Sequence, residues 1–160
     1  MIKLMRIDYR LLHGQVAFAW TNFLGVNAIL IANDKVAHSN FRKKTLSLAK
    51  PSGVKLIFKT VAESVQAINS GVTDKYKVFV IVETVKDAYE LVKNTEQIND
   101  INVGLVASRP ETQEIAKSIY VTVEEIKQLV EVEKQGVNVI IKQAPNDGDV
   151  RFSSLVKDRG

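Results

Sequence analysis

The run Arg6-Ile7-Asp8-Tyr9-Arg10-Leu11-Leu12-His13-Gly14-Gln15-Val16 brings two arginines, an aspartate and one of the chain's two histidines into a single short stretch. These residue types suit phosphoryl chemistry. Guanidinium groups fork onto phosphoryl oxygens, and a glycine lets the backbone approach closely. A helix starting near Gly14, Gln15 and Val16 would offer free N–H groups and a partial positive charge. An imidazole with an unperturbed pKa of about 6.5 is largely neutral at pH 7, so His13 has a lone pair with which to attack phosphorus. A structural account of the same residues also exists: Arg and Asp at a strand end as an ion pair, and His13 as a capping or hydrogen-bonding group. Residue types alone leave both open.

The elements that must position this run follow from periodicity. Ile2 to Arg6 reads as a strand, and Gln15 to Leu24 has the near-helical apolar spacing of a buried face, with Phe18, Trp20 and Phe23 expected in the core, or one of the rings exposed at a dimer contact. The run therefore lies in the loop between the first strand and the first helix. Ala28 to Ala32 is a second strand, stopped by Asn33-Asp34 before an amphipathic stretch from Phe41 to Ala49. Val54 to Phe58 is a third strand, and Thr60 caps a helix from Val61 to Asn69. Lys77 to Val82 and Ile101 to Val103 are further strands, separated by a helix from Val85 to Lys93. Ser118 to Val121 reads as a sixth strand, and Thr122 with Glu125 forms a capping box that opens a helix to Lys134. Val137 to Lys142 is a seventh strand, and Pro145 to Gly148 is a turn.

Strands that are apolar throughout are buried on both faces, and strands separated by helices need parallel crossovers. The expected fold is α/β: an open, mostly parallel sheet of about seven strands with helices on both faces, in a single domain spanning residues 1–160. Ligands of such sheets sit at the carboxyl ends of the strands, where strand order reverses. The loop from Asp8 to Gly14 is one of those ends.

Composition removes several other classes of function. With 160 residues, 46% of them hydrophobic and 25% charged, the chain can form a full core. It has no cysteine, which excludes disulfides, thiolate metal sites and cysteine nucleophiles and suits a reducing cytosol. No apolar run approaches the roughly 18 to 20 residues needed to cross a bilayer, and charge returns too early for a signal peptide. The net charge of +4 is uneven: residues 1–80 hold 12 Lys/Arg against 4 Asp/Glu, and residues 81–160 hold 10 against 14. A basic first half suits an anionic ligand or partner. No glycine-rich nucleotide fingerprint follows the first strand, and His13 and His38 have no metal-ligand spacing, so neither cofactor nor metal is expected. His38 reads as solvated. Arg42-Lys43-Lys44 reads as a solvated helix face and not as a nucleic-acid reader, since it lacks interleaved aromatics.

The Arg6–Val16 run closely resembles the phosphorylation-site signature of the IIB components of the mannose/fructose/sorbose family of bacterial sugar phosphotransferase systems. The resemblance extends through Asn102-Val103-Gly104, Ile115 to Thr122 and Gly136 to Pro145. Leu12 stands where isoleucine is commoner, and Leu105 replaces a second glycine, which bears on the shape of the loop Gly104 to Pro110.

The resemblance implies that His13 is the phosphorylated residue, that Arg6, Arg10 and the amides of Gly14, Gln15 and Val16 stabilise phosphoryl charge, and that Asp8 organises Arg10 or the loop backbone. It also implies a phosphorylated IIA protein or domain as donor, membrane IIC and IID partners, and a hexose of the mannose, fructose, sorbose or N-acetylgalactosamine class as final acceptor. The expected location is cytoplasmic, peripheral to the membrane transporter, with a homodimer as an allowed assembly. The competing function is a non-catalytic phosphate-binding or regulatory α/β module that uses the same loop.

Overall fold

Strand β1 (Ile2–Asp8) lies in the middle of the sheet, and its last five residues are all buried. The computed structural model describes residues 1–156; the last four residues of the expected domain, 157–160, lie outside the described residues. After β1 come α1 (Gly14–Leu24), β2 (Ala28–Ala32), the short helix α2 (Asp34–Ala37), α3 (Asn40–Ser47), β3 (Lys55–Lys59) and α4 (Val61–Ser70). The chain continues through β4 (Val78–Val82), α5 (Val85–Asn94), β5 (Asp100–Leu105), β6 (Gln113–Ala116) and β7 (Ile119–Val121). It ends with α6 (Val123–Lys134), β8 (Asn138–Ile141), β9 (Val150–Arg151) and α7 (Phe152–Val156).

The main sheet has seven strands in the order β3-β2-β4-β1-β5-β8-β9, parallel except for β9. Its two faces carry separate cores, as strand alternation requires. On one face Leu4, Ile29, Ile31, Phe79 and Ile81 pack with Ala17 and Trp20 of α1, Val36 of α2 and Leu46 of α3. On the other, Met5, Ile7, Leu30, Val80 and Val82 pack with Ile68 of α4, Leu91 of α5 and Leu129 of α6. Strands β2 and β4 are buried at every residue, which explains why they are apolar throughout.

Strand order reverses around β1. The chain runs outward from β1 to β2 and β3, returns to β4, then crosses to β5 on the other side. The loop after β1 leads to α1 on one face, whereas those after β4 and β5 lead toward α5 and α6 on the opposite face. The carboxyl end of β1 is therefore the switch point of the sheet.

Two expectations are corrected. The strand expected at Ser118 to Val121 does not join the main sheet as a parallel member: β7 pairs antiparallel with β6 and touches the sheet at the Val106–Ile119 bridge. A parallel neighbour needs a crossover of a dozen or more residues, usually a helix, and here a hairpin takes that place. The seventh strand is β9, which follows the turn after Pro145 and pairs antiparallel with β8. The aromatics of α1 also divide. Trp20 is in the core, but Phe18 and Phe23 are exposed, because the helix turns a single stripe toward the sheet.

Candidate active site at the end of strand β1

Alternation along β1 sends Arg6 and Asp8 to the same face as Leu4, the face covered by α1. Both are buried, Arg6 at 1% and Asp8 at 0% exposure. Buried charges must be paired, and these pair with each other: Arg6 Nε donates to Asp8 Oδ2 at 3.1 Å, and Arg6 Nη2 lies 3.1 Å from the same oxygen. Burial pushes the Arg6 guanidinium below its ordinary value, while the charge and hydrogen bond of Asp8 act in the opposite direction.

The rest of the guanidinium is held from the neighbouring strands. Arg6 Nη1 donates to Asn102 Oδ1 of β5 at 2.6 Å and to the Gln143 carbonyl, beyond β8, at 2.9 Å. The same carbonyl accepts from Trp20 Nε1 at 3.0 Å, and the Trp20 ring lies 5.6 Å from Arg6 Cζ. The carboxyl ends of β1, β5 and β8 thus converge on Arg6. Its expected place against phosphoryl oxygens is not what this geometry offers, since its donors point into the protein.

Beyond Asp8 the chain makes a tight turn. Asp8 Oδ1 accepts from the Arg10 backbone N–H at 2.8 Å, and the Asp8 carbonyl accepts from Leu11 N–H at 2.9 Å. Leu11 takes the left-handed conformation, with φ 60°, an uncommon state for a branched residue. Its side chain, at 1% exposure, and that of Leu12, at 3%, are anchored in the core beneath α1, which holds the turn in place. Asp8 organises Arg10 through the backbone, not through an ion pair. The Arg10 side chain is exposed, with no hydrogen bond or salt bridge to any described residue.

His13 follows as the N-cap residue of α1, in an extended conformation and without a side-chain cap bond. Its ring turns back to the strand, with Nε2 2.8 Å from Asp8 Oδ2. Asp8 is an acceptor, so that contact places the proton on Nε2 and leaves the lone pair on Nδ1. The side chain remains 14% exposed. The first helical hydrogen bond runs from Ala17 N–H to the His13 carbonyl at 3.1 Å, so the amides of Gly14, Gln15 and Val16 have no partner within the helix.

The expected site residues are thus brought together in two groups. Arg6, Asp8 and the Nε2 side of His13 form a buried network, while Arg10, Nδ1 of His13 and the amides of Gly14 to Val16 belong to the outer side. Sequence reasoning gave Asn102, Gly104 and Gln143 no site role. The only available signal was the Asn102-Val103-Gly104 motif, in which the Asn102 side chain and the space left at Gly104 meet Arg6 across strands rather than along the chain. The loop after Gly104 is held by Arg109, which forks onto Glu125 at 3.1 and 2.7 Å. His38 is exposed, as expected. Among the described residues no group of three or more His, Cys, Asp or Glu side chains is arranged to hold a metal, and no helix is long and apolar enough to cross a membrane.

Comparison with known proteins covers nearly the whole chain. Residues 2–160 match the family model described as the PTS system sorbose subfamily IIB component. The chain is 31% identical to the N-acetylgalactosamine-specific phosphotransferase enzyme IIB component 2 of Escherichia coli K12, across 97% of this chain and 98% of that one. It is 28% identical to the mannose-specific EIIAB component of the same strain, covering 97% of this chain and 48% of that longer protein. The crystal structure of the IIBSor domain of the sorbose permease from Klebsiella pneumoniae superposes with a TM-score of 0.93 at 27% identity, covering 100% of this chain and 98% of that one. The chain belongs to the sorbose subfamily of the IIB components of the sugar phosphotransferase system.

Proposed function

We propose that this chain is a phosphoryl carrier that accepts a phosphoryl group on Nδ1 of His13 and passes it to a sugar. The observation that carries the reading is the Asp8–His13 contact, which engages Nε2 and turns Nδ1 away from the buried network. In the acceptance step the Nδ1 lone pair forms a bond to phosphorus as the N–P bond of the donor phosphohistidine breaks, and that electron pair returns to the donor ring. The His13 ring gains positive charge, which the Asp8 carboxylate stabilises at Nε2. Transfer of this kind depends on positioning and charge stabilisation more than on covalent assistance. Arg10 and the amides of Gly14, Gln15 and Val16 supply donors for the equatorial oxygens. Arg6 acts behind them, holding Asp8.

The donor is a phosphorylated IIA protein or domain, a pairing supported by the mannose-specific EIIAB relative, whose name joins the two components in one chain. The final acceptor is a hexose of the class named by the relatives, which include sorbose-, fructose-, mannose- and N-acetylgalactosamine-specific proteins. Uptake would proceed through membrane IIC and IID components, with this chain at the cytoplasmic side and no cofactor or metal required.

Incubation with a phosphoenolpyruvate-driven relay and phospho-IIA, followed by intact-mass measurement and peptide mapping, tests the proposal. One phosphoryl mass on the peptide containing His13, labile in acid and stable in base, is expected of a phosphoramidate. An acid-resistant label, or reversible phosphate binding without a covalent mass, would overturn it; the latter outcome is that of the non-catalytic module.

A further inference from the structure

We infer that Asn102 and Gly104 are positioning residues for phosphoryl acceptance: with the Gln143 carbonyl they form a socket that presses the Arg6 guanidinium onto Asp8, and through Asp8 they hold the Nε2–H of His13. The inference rests on the reading of His13 as acceptor. Arg6 and Asn102 are register partners on adjacent parallel strands, so their side chains stand side by side on one face. Asn102 Nδ2 donates to the Lys142 carbonyl at 2.8 Å, which fixes the amide so that Oδ1 faces Arg6 Nη1 at 2.6 Å. A neutral acceptor at this position satisfies Nη1 without competing with Asp8 for the charge of the guanidinium.

Gly104 lies two residues further along the same strand and therefore on the same face. A Cβ there would sit 2.2 Å from Arg6 Cζ and 2.5 Å from both terminal nitrogens, far inside the ~3.5 Å of ordinary carbon contact. Its φ is not positive, so glycine is required here for space and not for backbone freedom. The Trp20 ring is near the guanidinium as well, and Arg6 is 1% exposed. A side chain at position 104 must therefore move Arg6, and with it the partner that orients Asp8. Asp8 Oδ2 is the one atom that meets both Arg6 and His13, so displacement of the guanidinium reaches His13 Nε2 through a single oxygen.

The test uses the full chain, with the His13 ring N–H observed by proton–nitrogen NMR and assigned by its loss in His13→Ala. In the wild type this proton should exchange slowly with water. In Gly104→Ala and Asn102→Ala it should broaden or exchange, and single-turnover acceptance from phospho-IIA should fall by roughly 10-fold or more, the scale of a small misplacement of a reacting group. Val103→Ala is the control: its side chain belongs to the opposite core, so it should lower the melting temperature and leave the ring proton in place. Gly104→Ala decides the matter if Asn102→Ala does not fold. A folded Gly104→Ala or Asn102→Ala with a wild-type ring proton and rate would overturn the inference, as would loss of the ring proton in Val103→Ala. If the wild type took no phosphoryl group, the acceptor reading would fail, while the ring-proton comparison would still decide whether the socket exists.

Discussion

Asp8 and His13 are joined by a 2.8 Å contact between Oδ2 and Nε2, and the carboxylate on the buried side of that contact is 0% exposed. The ring nitrogen that faces the protein is therefore occupied, and the other, Nδ1, is the one the proposed transfer uses. This relationship separates the residues that hold the histidine from those proposed to meet the phosphoryl group, and the expected consequences of substituting each differ.

His13→Ala should abolish phosphoryl acceptance while leaving the fold intact. The ring makes no helix-capping bond, and Asp8 keeps Arg6 as a partner when it is gone. A stability change within about 1 kcal/mol is expected, typical of a partly exposed loop position. His38→Ala should change neither property. Intact mass after the relay, together with a thermal melt, checks both; a phosphoryl mass on the His13 variant would contradict the assignment.

Arg10→Gln should slow transfer by roughly 10²-fold, the range for loss of a preorganised charge-stabilising donor, with little change in melting temperature. The exposed side chain holds nothing in place, and the backbone N–H that Asp8 accepts from is still there in the variant. Arg10→Lys should recover part of the rate, because lysine restores charge without the bidentate geometry. Single-turnover rates from phospho-IIA decide the point, and a wild-type rate for Arg10→Gln would remove Arg10 from the reaction.

Asp8→Asn should impair both transfer and stability, unlike Arg10→Gln. It removes the only carboxylate among the described residues in contact with the buried Arg6 guanidinium, a change that costs about 3 kcal/mol where a buried charge loses its partner. It also removes the negative charge facing Nε2. Denaturant unfolding alongside the transfer rate tests this; a variant as stable as the wild type would mean that Asn102 and the Gln143 carbonyl suffice to hold Arg6.

Asp87, in the first turn of α5, should make stability fall as pH rises. Burial pushes its carboxyl above the ordinary range, with Asp34 and Glu83 adding to the effect, while a hydrogen bond from Thr84 and the charge of Lys86 oppose it. The raised folded-state value means that ionisation is harder in the folded protein than in the unfolded chain. Stability is therefore unaffected below the unfolded carboxylate value of about 3.9 and is lost as pH climbs from there through the folded value. Asp87→Asn should flatten that loss in melts taken from pH 3 to pH 7; an unchanged slope would show that the site is effectively solvated.

The local content of this protein was legible in its sequence. The alternation of apolar strands and capped helices located the Arg6–Val16 run at the junction of the first strand and first helix, although β1 extends through Asp8 and not only to Arg6 as expected. The residue types of that run suited phosphoryl chemistry at His13 without excluding a structural role. The capping box of Thr122 and Glu125 and the burial of β2 and β4 followed from nearest-neighbour chemistry that any segment carries with it. Pairing across the sheet was decided only in the folded molecule. The hairpin of β6 and β7 and the antiparallel β9 depend on which edges are free once the parallel strands have assembled, and no window of sequence contains that information. The surroundings of the two arginines were decided in the same way. Arg6 and Arg10 look equivalent as flanking cations, but β1 alternation buries the first against Asn102 and Gly104, 96 and 98 residues away in sequence, while the turn after Asp8 leaves the second in solvent. Residue type specified the chemistry available; strand register specified which arginine is buried and which is left in solvent.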